Sequence, residues 1–311
     1  MKTKFLWITD PWTTLDHAED TTIRLAEEAE RLGHESWWCD VKSIRWAGGQ
    51  VLLEASRMNW KKSPDSLTLS PEKTRKASDF DSLQYRVDPP VDLAYLHPLQ
   101  ILNLDQRLKV VNPIPALFLA SEKMEGLLLP GLAPATIAAT QWKALEAFGR
   151  REKRTVMKPL HMAQSRGIEL LDWRTDEGVG RARELIQDAT AGFERPVLLQ
   201  RYLAAIERGE TRLWFLDGKL LASARKLPLK NDFRVNIDQG SQLAPHRPTA
   251  AEKRAALVIG KRLRALKVRL AAIDLIDGYV TDFNITSPGL IRQMERVTGL
   301  NLAKKIVMAL L

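Results

Sequence analysis

The chain has 311 residues, 45% of them hydrophobic and 27% charged, with a formal charge of +9. That length gives a large buried core but exceeds one simple layer, so two or three subdomains are expected. No apolar run approaches the roughly 18 residues of a membrane span, the opening MKTKFLWITDPW lacks a signal-peptide pattern, and the lone Cys39 suits a cytoplasmic protein without an intrachain disulfide.

Residues 4–9 read as a strand with Asp10 at its carboxyl end. Asp20 is the N-cap of a helix at 21–32, with Ile23, Leu25, Ala26 and Ala29 on one side. Gly33 ends that helix, and 35–40 returns as a second strand. Strand, helix and strand in this span make a βαβ unit, so a parallel sheet opens the protein. Residues 44–55, around Ala47-Gly48-Gly49, read as a hairpin, and 57–82 as a polar, mobile excursion. Pro89-Pro90 turns the chain before a short strand at 93–96, and 110–112 gives another. A second region starts near Glu122, with strands at 136–139, 155–159, 167–171 and 197–202 and helices at 141–150 and 178–189. A third has strands at 213–216 and 220–226, a helix at 250–266, paired strands at 270–275 and 278–284, and two closing helices.

The positive charge would suit nucleic acid, a membrane surface or small anions. It is scattered among 38 acidic residues, however, with no Lys/Arg tract, zinc-ligand spacing or RNA-binding signature. No nucleic acid and no membrane partner is expected. The histidines show no metal-ligand spacing, Cys39 reads as a buried apolar residue, and no serine elbow, Walker A loop or dinucleotide fingerprint is present.

The stretch AIDLIDGYVTDFNITSP at 272–288 carries the most chemistry. Asp274, Asp282 and Asn284 stand among apolar strand residues, where carboxylates need compensation. Mg²⁺ supplies it, since it takes carboxylate and amide oxygens. Asp282 and Asn284 share a face because they are two apart. Asp274 joins them only if the hairpin loop is three residues, 277–279, or an equivalent bulge intervenes. A two-residue Asp277-Gly278 loop alone puts Asp274 opposite Thr281, on the other face. On spacing alone the three residues also read as decoration of a solvent-facing side. Arg212, Arg225 and Arg234 recur through the third region, with Lys226 beside one of them, and Lys158 stands in the strand TVMKP. A lysine in a strand core must find a partner or reach a cleft, and arginines suit phosphate and carboxylate.

Residues 200–311 resemble the C-terminal half of bacterial glutathione synthetase. QRYLAAIERGETRLWFLDGK, SARKLP, DFRVN, AAIDLIDG, VTDFNITSP and IRQMERVTGLNLAKK follow in that family's order. Upstream, ITDPW, DTT at 20–22, RVDPP at 86–90, VVNP, SEK at 121–123 and VMKPL agree more thinly. The resemblance implies an α/β ATP-grasp fold. It has an N-terminal βαβ (pre-ATP-grasp) domain at 1–121, a central lid subdomain at 122–199 and a C-terminal subdomain with the metal site at 200–311. ATP lies between the last two, both α+β. By the same resemblance, Lys123 and Lys158 contact the nucleotide, the latter on its phosphates. Backbone around Gln200, Tyr202 and Leu203 holds adenine, with Glu210, or else Glu207, near the ribose. Asp274, Asp282 and Asn284 bind Mg²⁺ (two ions, with Mn²⁺ as a substitute), Asp282 standing where the family usually has Glu. Arg212, Arg225 and Arg234 line the acyl-phosphate side.

The implied activity is an ATP-dependent carboxylate–amine ligase, with γ-glutamylcysteine plus glycine giving glutathione, ADP and phosphate as the family's reaction. Its partners are small acid and amine substrates, and a homo-oligomer, dimer or tetramer, is expected. The sequence departs from the family after MKP, where a glycine-rich run is replaced by LHMAQSRG. Bulky residues there restrict backbone approach to phosphate, leaving Ser165 and Arg166 as side-chain donors. After DFRVN a second glycine-rich segment has become IDQGSQLAP. Two alternatives follow: a ligase of the same mechanism with another acid or amine, and a non-catalytic relative that binds nucleotide.

Overall fold

A computed structural model describes residues 2–60, 67–160, 167–229, 234–235, 237 and 240–311. Ser165 and Arg166 of the lid, and Asn236, lie outside the described residues.

The first sheet is built on the expected βαβ unit. β1 (Lys4–Thr9) and β2 (Glu35–Asp40) pair in parallel, joined by α1 (Thr21–Arg31). Asp20 accepts from the amide of Ile23 and caps α1, satisfying one of the amides a helix start leaves unpaired. β3 (Arg45–Ala47) and β4 (Gln50–Trp60) form the expected hairpin. The described residues of the stretch 57–82 are not a mobile excursion: β4 runs on to Trp60, and β5 (Leu67–Leu69) and β6 (Lys73–Lys76) both pair with it. Its sequence reads as polar because these are outlying strands with one wet face. Arg57, for example, donates to Glu30 and to the carbonyl of Ser36.

β7 (Ser82–Tyr85) lies parallel on the other side of β1, followed by β8 (Val110–Val111). Residues 93–96 are not a strand but the start of α2 (Leu93–Leu102). Asp92 caps it, and Tyr95, Leu99 and Leu102 are its buried residues, a helical period that a four-residue window hides. A short α3 (Ile114–Leu119) follows.

The second sheet, order β11-β10-β12-β9, contains β9 (Thr136–Ala139), β10 (Arg154–Pro159), β11 (Glu169–Asp172) and β12 (Val197–Arg201), with α4 (Trp142–Glu152) and α5 (Asp176–Ala189). Leu145, Phe148, Trp173 and Ile186 from the helical side pack on Met157 and Leu199, and the other face of the sheet is left for a cleft.

The third sheet, order β15-β14-β13-β16-β17, comprises β13 (Glu210–Leu216), β14 (Lys219–Leu227), β15 (Gln242–Pro245), β16 (Leu270–Ile276) and β17 (Tyr279–Asn284). α6 (Ala250–Ala265) covers one face, with Ile259 and Leu263 in a core shared with Leu213, Phe215 and Ile273. On the other face Trp214 and Ala272 join a core with α1, α7 (Ile291–Thr298) and α8 (Leu302–Leu310). That core ties the third sheet to the first and leaves the carboxyl ends of β1 and β7 facing the cleft. Among the described residues, no helix is long and apolar enough to cross a membrane.

Candidate active site

A cleft of about 560 Å³ is lined by residues of the second and third sheets and of the segments that follow β1 and β7 in the first, within the size range of small-ligand sites. Its floor depends on one local irregularity. The β16–β17 turn is two residues, Asp277-Gly278, both at positive φ, as a tight hairpin of this type requires. Continued regularly, that turn would put Asp274 opposite Thr281. A register shift follows Leu275↔Val280, so that Asp274 pairs with Asp282 and Thr281 is the extra residue. The bulge does the work of a longer loop and puts both carboxylates on one face. Thr281 is itself employed: its carbonyl accepts from Lys158 Nζ at 2.8 Å, and its hydroxyl donates to Glu210 at 2.7 Å.

Strand register then assembles a row of charges. Glu210 is paired with Lys226, Arg212 with Asp274, and Asp274 with Asp282. Arg212 grips Asp274 through two bonds of 2.9 and 2.7 Å, and Lys226 Nζ reaches the same carboxylate at 2.9 Å and Glu210 at 2.5 Å. Burial works against the charge of Asp274, but Arg212 and Lys226 outweigh it and hold the carboxyl well below the usual range. Lys123 Nζ donates to Asp282 at 2.7 Å. Burial likewise opposes charge on this pair, yet Lys123 is held above and Asp282 below its ordinary value, each chiefly by the other. Lys158, 6% exposed, has no carboxylate at bonding distance among the described residues. Burial, reinforced by Lys123, brings its pKa down, as desolvation does to a lysine.

Gln200, Tyr202 and Leu203, the residues expected at adenine, line the cleft, as does Arg234. The amide of Tyr202 already donates to the carbonyl of Arg154, and the guanidinium of Arg154 stacks on its ring at 4.2 Å. Glu210 is locked between Lys226 and Thr281. Asp274 is enclosed by cations, whereas Asp282 and Asn284 stand at the end of the row, where Asn284 Nδ2 donates to the carbonyl of Ala272.

Arg225 is a correction. It is paired with Thr211 on the face turned toward α6, donates to the Thr211 hydroxyl at 3.0 Å and lies 3.5 Å from Glu252. It does not line the cleft, and Lys226, one residue on, takes the place expected of it. A single step along a strand changes the face, so only the register of β14 separates the two. Glu122 was also missed. Its Oε1 accepts from the amides of Ile285 and Thr286, at 2.7 and 2.9 Å, and from the Thr286 hydroxyl. With the amide of Phe283 donating to the Glu122 carbonyl, this clamps the edge of β17 and carries Lys123 to Asp282. The SEK motif held that signal, but the bonding demand of a half-buried glutamate is invisible without its partners.

Residues 3–117 match the N-terminal domain of prokaryotic glutathione synthetase, and residues 122–299 match its ATP-grasp domain. The glutathione synthetase of Synechocystis sp. (strain ATCC 27184 / PCC 6803 / Kazusa) is 30% identical over 316 residues, covering 98% of each chain. That of Nostoc sp. (strain PCC 7120 / SAG 25.82 / UTEX 2576) is 31% identical, covering 98% of this chain and 96% of its own. In fold the chain is similar to D-cycloserine synthetase DcsG (TM-score 0.68, 16% identity, 99% and 100% covered) and to the macrocyclase MdnC from Microcystis aeruginosa MRC (0.66, 14%, 99% of each). With the parallel N-terminal sheet, the two further sheets and the lysine–carboxylate cleft between them, these matches over nearly the whole length place the chain in the prokaryotic glutathione synthetase family of ATP-grasp ligases.

Proposed function

We propose that this ligase activates a small anionic acid, γ-glutamylcysteine or a close relative, as an acyl phosphate and passes it to an amine. The observation that carries the reading is the convergence of Lys123, Lys158, Arg212 and Lys226 on one cleft, where Asp282, Asp274 and Glu210 pair with Lys123, Arg212 and Lys226 and Lys158 donates to the Thr281 carbonyl.

A carboxylate is a poor electrophile. The γ-phosphoryl group of ATP moves to a carboxylate oxygen of the acid, the bond to the β-phosphate oxygen breaks, and ADP is left. The amine then attacks the acyl carbon, losing a proton as the C–N bond forms, and phosphate departs. Lys158 is suited to the phosphates because its ammonium is buried with only the Thr281 carbonyl to satisfy it among the described residues. Arg212 and Lys226 are fixed by Asp274, so they offer positive charge without reorganising, which is where electrostatic stabilisation is most effective.

The donor set also suits Mg²⁺, which the ATP-grasp family uses. Asp282 takes Lys123 on one oxygen only, and Asn284 commits its amide nitrogen, which leaves a carboxylate and an amide oxygen, both hard donors. Asp274 would join them only by exchanging a cation partner. When bound there, the metal would supply charge neutralisation for the transferred phosphoryl group.

The amine is the less constrained partner, since both segments expected to close over phosphate and acceptor have lost most of the family's glycines. We place glycine as one candidate among small amines. Hydroxylamine trapping tests the acyl phosphate: with ATP, Mg²⁺ and γ-glutamylcysteine, hydroxamate should accumulate as ADP forms. ATP binding without ADP or hydroxamate, across a panel of small acids, would instead favour the non-catalytic relative.

A further inference from the structure

Thr281 and Asp282 are neighbours in β17, yet both line the cleft. Successive residues of a regular strand point to opposite faces, so the shared face comes from the bulge, in which Thr281 is the extra residue. Val280 and Phe283, on either side of the pair, are buried in the core shared with α6. That apolar spacing fixes the bulged register whatever the Thr281 side chain does.

The register leaves one degree of freedom open. The extra residue of a bulge has no cross-strand partner of its own, so its peptide plane must be held by other means. Here the Thr281 hydroxyl donates to Glu210 Oε1 at 2.7 Å and lies 3.1 Å from the carbonyl oxygen of Asp274. Glu210 is itself fixed, because Lys226 Nζ takes its other oxygen at 2.5 Å. The peptide held in this way carries the carbonyl that accepts from Lys158 Nζ at 2.8 Å. Lys158 belongs to β10 and Thr281 to β17, so this contact also joins the second sheet to the third across the cleft.

We infer that Thr281 is a positioning residue for Lys158: its hydroxyl, anchored on Glu210, orients the peptide whose carbonyl aims the lysine into the cleft. Valine in its place keeps the shape and the strand preference, but Glu210 Oε1 loses its donor and the Thr281 peptide is free to rotate. The Lys158 ammonium then spends less time where a phosphate would meet it. Serine keeps the hydroxyl and with it the anchor. The inference rests on the reading of Lys158 as a phosphate ligand and adds a residue that acts through it.

Calorimetry with AMPPNP and Mg²⁺ on the full chain tests this without relying on turnover. Thr281→Val should weaken binding about five- to tenfold, the range of one hydrogen bond, and Thr281→Ser should bind within about twofold of wild type. In a Lys158→Ala background, Thr281→Val should change affinity by less than about twofold, because the group it positions is gone. Provided Lys158→Ala itself weakens binding, three results would overturn the inference: wild-type affinity in Thr281→Val, no recovery in Thr281→Ser, or a loss that persists in full without Lys158. Acetylation of Lys158 by acetic anhydride, followed by mass spectrometry without nucleotide, reads the lysine directly. Thr281→Val should raise its rate about fivefold, and an unchanged rate would overturn the positioning role. Faster acetylation alongside wild-type AMPPNP affinity in Lys158→Ala would sink the nucleotide reading of Lys158 and leave the positioning role standing.

Discussion

Replacing Asp274 with Asn should be the most damaging isosteric change in the cleft. The side chain is 3% exposed, accepts two bonds from Arg212 and holds Lys226 at 2.9 Å. Asparagine keeps the size but turns an NH₂ group toward one of these donors and removes the charge. Lys226 retains Glu210 at 2.5 Å, so Arg212 is the cation left uncompensated. Breaking a buried pair from one side costs about 3–5 kcal/mol, and the surviving Glu210 contact puts this case near the lower end. That is a large share of a total stability of roughly 5–15 kcal/mol. Urea denaturation of wild type and Asp274→Asn should show it as a lower midpoint at unchanged slope. The double variant Arg212→Met/Asp274→Leu removes both charges and should recover most of the loss. A single variant within about 1 kcal/mol of wild type, or a double variant no better than the single, would refute the view that these charges depend on one another.

Lys158→Ala should weaken ATP binding by about tenfold or more in calorimetry while leaving the fold intact, because among the described residues only the Thr281 carbonyl loses a partner. Wild-type affinity would remove Lys158 from the nucleotide site. Asp88 provides a pH test. Enclosure in the cleft, with Asp10 and Asp20 adding to it, pushes its carboxyl up to about 6. The folded chain therefore holds this proton more tightly than the unfolded chain, and its contribution to stability falls as pH rises from roughly 4 to about 6. Asp88 also meets solvent, so the effect should stay below about 1 kcal/mol. Thermal melts across that range should show Asp88→Asn gaining on wild type, and a flat difference would contradict the assignment.

Local chemistry made much of this architecture legible. The caps and apolar spacing of α1 and the Asp277-Gly278 turn each have short-range causes that one sequence displays. What escaped depends on partners distant in the chain. Residues 93–96 look like a strand until Leu99 and Leu102 extend the period into a helix. Residues 67–76 look like loop because β4 holds them from outside the segment. At the site, the even loop alone would have separated Asp274 from Asp282, and only the bulge at Thr281 reunites them. Arg225 and Lys226 are adjacent and both basic, so the register against Thr211 and Glu210 decides which enters the cleft. Arg86, part of RVDPP, is buried against Thr22 and Pro288, which no local window contains.

The most direct measurement of the central claim is ATP-dependent phosphate release by wild type and Asp282→Asn. It would be run with Mg²⁺, γ-glutamylcysteine and a panel of small amines, glycine included. The account predicts release in wild type that requires the acid, an amine and Mg²⁺ together, and its loss in Asp282→Asn despite retained ATP binding. Release that ignores the acid, or that survives Asp282→Asn unchanged, would contradict it.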